Sequence, residues 1–210
     1  MKTRCVIIAG GDCEPSLLNS VCETDYVVAA DSGLNHCKAN NITPDLIVGD
    51  FDSYFDELPQ DIETVKLPTH KDDTDLLFAS RCGVERGFSD FVILGGYGSR
   101  PDQSFAMYST LVWLVNSKEN VRASAVCNGF EVYAIRNNSL TIKADESRYL
   151  SVFSVDGDAY GVTISGAEYS LKDATLTEKF PIGVSNCAIH DSAVSVENGT
   201  LLIMLVDKNI

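Results

Sequence analysis

Aspartates that leave apolar runs are the residues of this chain best suited to chemistry. Asp50 and Asp52 stand two positions apart in Gly49-Asp50-Phe51-Asp52-Ser53, directly after Leu46-Ile47-Val48. A tight turn there would aim both carboxylates at one point. Asp72, Asp73 and Asp75 crowd the stretch Lys71-Asp72-Asp73-Thr74-Asp75, and Asp31 opens Asp31-Ser32-Gly33. Hard oxygen donors of this kind suit Mg²⁺, which takes one or two carboxylates, keeps several waters and accepts substrate phosphates as further ligands. Any one of these aspartates reads equally well as a turn former or a helix cap. The set does not, because like charges gathered in one place are costly unless a cation neutralises them.

A second candidate is Gly95-Gly96-Tyr97-Gly98-Ser99-Arg100, a glycine-rich exit from an apolar run into a helical stretch. Backbone N–H groups and a helix N-terminus in such a loop can cradle phosphate, and the Arg100 guanidinium can grip phosphate oxygens in a two-pronged fork. The loop matches neither G-x-x-x-x-G-K-[ST] nor G-x-G-x-x-G, so a plain turn is the competing reading. Lys71 either neutralises phosphate or balances its acidic neighbours. His36, His70 and His190 are scattered and read as packing or surface residues, and no Ser/His/Asp or Cys/His nucleophile set assembles.

Positioning these residues falls to six β-branched apolar runs separated by helical stretches. The runs are residues 5–9, 26–30, 46–48, 64–67, 91–94 and 123–126; Asp75 to Arg86 and Gln103 to Ser117 read as helices, the first capped by Thr74 or Asp73. The second presents a broad apolar face that includes Phe105, Met107 and Leu111, and Trp113 reads as core. Such alternation predicts a parallel sheet wrapped by helices. In open sheets of that type ligands bind beyond the carboxyl ends of the strands, where Gly10-Gly11-Asp12 and the acidic and glycine-rich segments all fall.

From Asn137-Asn138-Ser139 onward the texture changes to closely spaced strands at 140–143, 149–155, 161–164, 193–196 and 201–206, with no convincing helix. Asn198-Gly199, between two apolar runs, predicts a tight hairpin. The expected fold class is therefore α/β: an N-terminal parallel-sheet, Rossmann-like domain flanked by helices over 1–136, followed by a smaller all-β sandwich or barrel over 137–210.

Composition bounds the function. The 210 residues carry 45% hydrophobic and 22% charged side chains, as an ordinary folded protein does. Acidic residues outnumber basic ones 30 to 16, for a formal charge of −14, and no basic cluster offers a grip on a nucleic-acid backbone. The apolar part of MKTRCVIIAGG is too short for an export signal or a membrane span. Seven scattered cysteines without a C-x-x-C suggest neither zinc nor a disulfide framework, and fit reduced thiols in a cytoplasm.

Taken in order, Ala30-Asp31-Ser32-Gly33-Leu34-Asn35, Pro44 to Ser53, Asp72-Asp73-Thr74-Asp75, and Leu94-Gly95-Gly96 with Arg100-Pro101-Asp102-Gln103 resemble the successive motifs of the thiamine pyrophosphokinase (thiamine diphosphokinase) family. The resemblance covers nearly the whole chain. It implies transfer of pyrophosphate from ATP to thiamine with Mg²⁺, in a homodimer whose thiamine sites lie at the subunit interface. By motif position it implies Asp50, Asp52 and Asp75 as metal ligands and Asp31 and Asp72 as further active-site acids beside Asp75. It also implies Gly95, Gly96, Arg100, Asp102 and Gln103 near the nucleotide, with Lys71, Tyr169, Ser185 and Asn186 near substrate. Three positions depart from the family pattern: Ser32 replaces the middle residue of Asp-Gly-Gly, Pro101 precedes Asp102, and Tyr169 stands where tryptophan is frequent. An Mg²⁺-dependent phosphohydrolase and a non-catalytic nucleotide- or thiamine-binding module are the rival readings.

Overall fold

Each of the six apolar runs of the first 127 residues forms a strand in the computed structural model, which describes residues 2–51, 58–68 and 73–209. The order is β1 (Arg4–Ile8), α1 (Pro15–Leu18), β2 (Asp25–Ala30), α2 (Gly33–Ala39), β3 (Leu46–Gly49), β4 (Glu63–Lys66), α3 (Asp75–Glu85), β5 (Asp90–Leu94), α4 (Pro101–Ser117) and β6 (Arg122–Cys127). The strands lie in the order β4-β3-β2-β1-β5-β6. The four pairs from β4 to β5 are all parallel. Chain order therefore reverses between β1 and β5, which makes the space beyond their carboxyl ends the switch point where open α/β sheets bind ligands. Burial explains the near-continuous apolar runs: Val6, Ile8, Val28, Ala29, Ile47, Ile93 and Leu94 are all fully buried.

Helix α3 begins where the sequence predicts, because the Thr74 side chain accepts a hydrogen bond from Leu77 N at 3.1 Å. Helix α4 starts at Pro101, two residues before the expected boundary, a position that suits proline because its missing N–H would be unsatisfied there anyway. Met107, Leu111, Leu114 and Val115 form its buried stripe, but Phe105 is 72% exposed and Trp113 only partly buried.

At the opposite end of the sheet from the switch point, Arg4 holds the buried Asp25 with Nε at 2.9 Å and Nη2 at 2.6 Å, and Cys22 N donates to the same carboxylate at 2.9 Å. Burial pushes the Asp25 carboxyl up, but Arg4 and the Cys22 N–H outweigh it and hold the group below the ordinary carboxylate range. A depressed acid stabilises the fold above its unfolded pKa of ~3.9 and loses that contribution as pH falls through the folded value. Arg4→Ala strands the charge, so thermal melts are expected to show a loss of about 3 kcal/mol at pH 7 that shrinks at pH 3.5, where protonated Asp25 needs no partner. A loss equal at both pH values would contradict this account.

The last part of the chain comprises β7 (Phe130–Arg136), β8 (Ser139–Ile142), β9 (Asp145–Ser165), β10 (Leu171–Leu176), β11 (Asn186–Ala188), β12 (Ser192–Ser195) and β13 (Asn198–Asp207). Its pairings are all antiparallel and centre on the 21-residue β9, which joins what the sequence reads as two strands. The Asn198-Gly199 hairpin does not form. Ser195 pairs with Thr163 and Asn198 with Tyr160, so β12 and β13 run on in one direction along β9 rather than doubling back. Gly199 has φ +127°, and a Cβ there would lie 2.9 Å from Ala159 Cα; the glycine serves a close strand approach at a bulge, where Asp156 and Gly157 also take positive φ. Asn137 closes this corner, donating N–H to Gly199 O at 3.2 Å and accepting from Gly199 N at 2.9 Å. Leu150, Val152, Ile203 and Leu205 from one side of the corner and Val162, Ile164, Ile142 and Val194 from the other share one apolar cluster.

By internal contacts the chain divides into Met1–Thr110 with Ala125–Asn128, and Leu111–Ser124 with Gly129–Ile210. Among the described residues no helix is long and apolar enough to cross a membrane. All seven cysteines are free, and burial pushes the thiols of Cys5, Cys37 and Cys127 up to about 12.

Candidate active site

Three close approaches of backbone build the walls of a cleft at the switch point. The first extends the β1–β5 pairing past the strand ends: Ala9 N donates to Leu94 O at 2.8 Å, Gly11 N to Gly95 O at 2.7 Å and Asp12 N to Tyr97 O at 2.7 Å. Only glycine fits this seam, since a Cβ on Gly11 would meet Tyr97 O at 2.4 Å and Gly95 O at 2.6 Å. The second joins β2 to β3. Asp31 leaves β2 with φ +48°, a left-handed conformation that aspartate tolerates better than most residues, and its N–H donates to Val48 O at 2.7 Å. A Cβ on Gly49 would lie 3.0 Å from Asp31 Cα, so the glycine permits the close approach by which Asp31 and Asp50 leave the paired strands β2 and β3 side by side. The third is α2 on β1, where a Cβ on Gly33 would sit 2.0 Å from Ile8 O.

The cleft so formed has a volume of about 480 Å³. It is lined by Asp12 and the glycines after β1, Asp31 and Ser32 after β2, Asp50 after β3, Thr74 and Asp75 at the start of α3, and Gly95 through Arg100 with Gln103 after β5. Expected residues Asp31, Asp50, Asp75, Gly95, Gly96, Arg100 and Gln103 are thus brought together from four segments. Asp102 is not part of the lining; it sits on the exposed rim in a two-point ion pair with Arg100, 3.2 Å from Nε, which holds its carboxyl below the usual range. The pair engages Nε and Nη2 of the Arg100 guanidinium. Asp73 is engaged by Arg81 at 2.6 Å. Asp52, Lys71 and Asp72 lie outside the described residues.

Gly10, Gly11 and Asp12 line the cleft at the sheet edge where their place after an apolar run puts them, and Thr74, the cap of α3, lines it as well. His36 has a part as well: its Nε2 lies 2.8 Å from Gly11 O, tying α2 to the turn after β1. Buried Ser104 ties the other wall, its hydroxyl donating to Arg100 O at 3.2 Å.

Two family models match the chain: the thiamin pyrophosphokinase catalytic domain over residues 17–123, and the thiamin pyrophosphokinase vitamin B1 binding domain over 137–203. The chain belongs to the thiamin pyrophosphokinase family. It is 26% identical over 207 residues to the thiamine pyrophosphokinase of Bacillus subtilis, which spans 95% of this chain and 96% of the relative. The solved structure of a B. subtilis thiamine pyrophosphokinase superposes with a TM-score of 0.88 at 23% identity, covering 98% of this chain and 100% of that one. That of Candida albicans thiamin pyrophosphokinase gives 0.75 at 14% identity, covering 98% and 90%. The fold persists at identities this low, and the motif segments that carry the family resemblance are those that line the cleft.

Within the segment matched by the vitamin B1 binding model, Tyr169 is 66% exposed and Ser185 is exposed with φ +61°, its N–H donating to Ser151 Oγ at 3.1 Å. Asn186 is buried, with its amide bonded to the backbone of Tyr169.

Proposed function

We infer that this chain transfers a pyrophosphoryl group from ATP to the hydroxyl of thiamine, giving thiamine diphosphate and AMP. The observation that supports this reading is the switch-point cleft, in which Asp31, Asp50 and Asp75 line a glycine-walled space together with Arg100. A passive ATP binder has no need of so many carboxylates there. As domains we propose a Rossmann-like catalytic, ATP- and Mg²⁺-binding part over 1–136 and a β-sandwich thiamine-binding part over 137–210.

The residues present fit Mg²⁺. Among the described residues no three of His, Cys, Asp or Glu form a ready-made metal cage, and Mg²⁺ asks for none, since one or two carboxylates and substrate phosphates suffice. Asp50 and Asp75, with Asp52, would hold the ion, which when bound neutralises charge on the phosphates. Gly95 and Gly96, which pack closely against Ala9 O and Met107, line the cleft before α4, where the triphosphate would lie. Gln103 lines that approach, and Arg100 and Lys71 offer positive charge to the phosphate oxygens. The thiamine hydroxyl attacks the β-phosphorus in line with the departing AMP, and Asp31 or Asp72 accepts its proton. Orientation contributes more than that base, because phosphoryl transfer rests on positioning and electrostatics. Tyr169 offers its ring to the cationic substrate, an interaction of about 0.5–2 kcal/mol.

We further propose a cytoplasmic homodimer with thiamine sites at the subunit interface. Seven free cysteines support the reducing compartment, and the exposed apolar run Phe180, Ile182 and Val184 supports a covered surface.

The test is to incubate the purified protein with ATP, Mg²⁺ and thiamine and to separate the products. AMP formed only when thiamine is present is expected. Inorganic phosphate without thiamine would make the chain a phosphohydrolase, ADP with thiamine monophosphate an ordinary kinase, and stoichiometric binding without turnover a binding module. In the same assay His36→Ala is expected to raise KM for ATP roughly 3- to 10-fold with kcat little changed, as follows from losing one hydrogen bond of about 1 kcal/mol behind the cleft wall. An unaltered KM would remove His36 from this supporting role.

A further inference from the structure

Strand β11 opens with Asn186, only 7% exposed, paired across to Leu150 of β9. Its side-chain amide does the work of an adjacent strand. The amide oxygen accepts from Tyr169 N at 2.9 Å, the amide nitrogen donates to Tyr169 O at 2.7 Å, and the same oxygen accepts from Cys187 N at 2.8 Å. Both polar groups of a single residue, Tyr169, are thus held by one side chain. The pattern also orients the amide, because a flipped side chain would set donor against donor.

Further bonds bracket this one. Glu168 N donates to Cys187 O at 2.9 Å, and His190 N to Gly166 O at 3.0 Å. The result is an irregular loop whose backbone is pinned while the ring it carries stands 66% exposed. Few side chains can do this. Aspartate has the right length and keeps the two accepted bonds, but it cannot donate to Tyr169 O and would bury a charge; alanine loses all three bonds.

We propose that Asn186 is a positioning residue rather than a substrate contact: it fixes the backbone of Tyr169, and thereby pre-aims that ring at the cationic substrate before thiamine arrives. This deepens the thiamine reading above and rests on it. Pinning the loop removes motion that binding would otherwise have to arrest, so its loss appears in thiamine affinity rather than in the chemical step.

The experiment compares Asn186→Ala, Asn186→Asp, Tyr169→Ala and the Asn186→Ala/Tyr169→Ala double variant in the full-length protein. Each Asn186 variant is expected to raise KM for thiamine roughly tenfold, with kcat at saturating thiamine and KM for ATP changed less than about twofold. In the Tyr169→Ala background, Asn186→Ala is expected to add less than about twofold, because its effect runs through the missing ring. An undiminished effect in that background would show a direct contact with thiamine and overturn the proposal, as would an unchanged KM in the Asn186 variants.

A second readout needs no substrate. Hydrogen exchange of peptides spanning residues 166–171 should accelerate in Asn186→Asp while β1 and β5 keep their protection; unchanged exchange there would overturn the proposal. It also separates the two failures. Wild-type protein that makes no thiamine-dependent AMP defeats the reading of function, whereas the exchange result still decides whether Asn186 positions Tyr169.

Discussion

Asp75→Asn is expected to lower kcat for thiamine-dependent AMP formation by roughly 10²–10³-fold, the usual effect of deleting one group that stabilises transition-state charge. Asp75 is the first residue of α3 and lines the cleft, while the cap of that helix is made by the neighbouring Thr74 hydroxyl. Neutralising Asp75 leaves the cap in place. It forfeits a favourable charge at the helix N-terminus, about 0.3–1 kcal/mol, or a fall of a few degrees in Tm for a chain of this size. Activity and stability should therefore separate cleanly, as measured by product analysis and calorimetry on one preparation. A metal ligand makes a further demand: part of the lost rate should return at raised Mg²⁺. Near-normal turnover in Asp75→Asn would remove this carboxylate from the mechanism.

Gly11→Ala should act on the cleft in a different way. The new methyl group would collide with two carbonyl oxygens, Tyr97 O at 2.4 Å and Gly95 O at 2.6 Å, neither of which belongs to a movable side chain. The loops after β1 and β5 must part, and both supply cleft wall. We expect KM for ATP to rise at least about tenfold, with a stability loss of about 1–3 kcal/mol from local overpacking. Gly33→Ala tests the wall between α2 and β1. Its Cβ would strike Ile8 O at 2.0 Å under the buried face of α2, so a lower melting temperature should accompany any change in KM. Were Gly11→Ala to bind ATP normally, the seam between the two loops would not shape the nucleotide site.

The pattern of residues foretold some elements well and misled at others, for physical reasons. Strands β1, β2, β3 and β5 were legible because both faces are covered, which leaves unbroken apolar runs. The start of α3 was legible because a threonine cap is a local device. Strand β7, with Val132 to Ile135 as an apolar run between Glu131 and Arg136, is not among the expected strands; its pairing with β13 identifies it. Asn198-Gly199 misled because the same dipeptide serves a tight reversal and a bulge, and only the neighbouring strand decides between them. Phe105 misled because helical periodicity names a face without saying where the covered stripe ends.

By itself the chain's sequence determined which residue types leave each strand: aspartates after β2 and β3, glycines after β1 and β5, and an acid opening α3. These are local facts, written in the alternation of apolar runs and polar exits. Only the tertiary structure decided that β1 and β5 are neighbours with chain order reversing between them, so that exits as far apart in sequence as Gly11 and Gly95 form one seam. Likewise the resemblance put Asn186 near substrate, whereas folding turned its amide onto Tyr169. Strand order and hydrogen-bond partners depend on contacts between segments distant in sequence, and residue spacing along one chain does not encode which segments will meet.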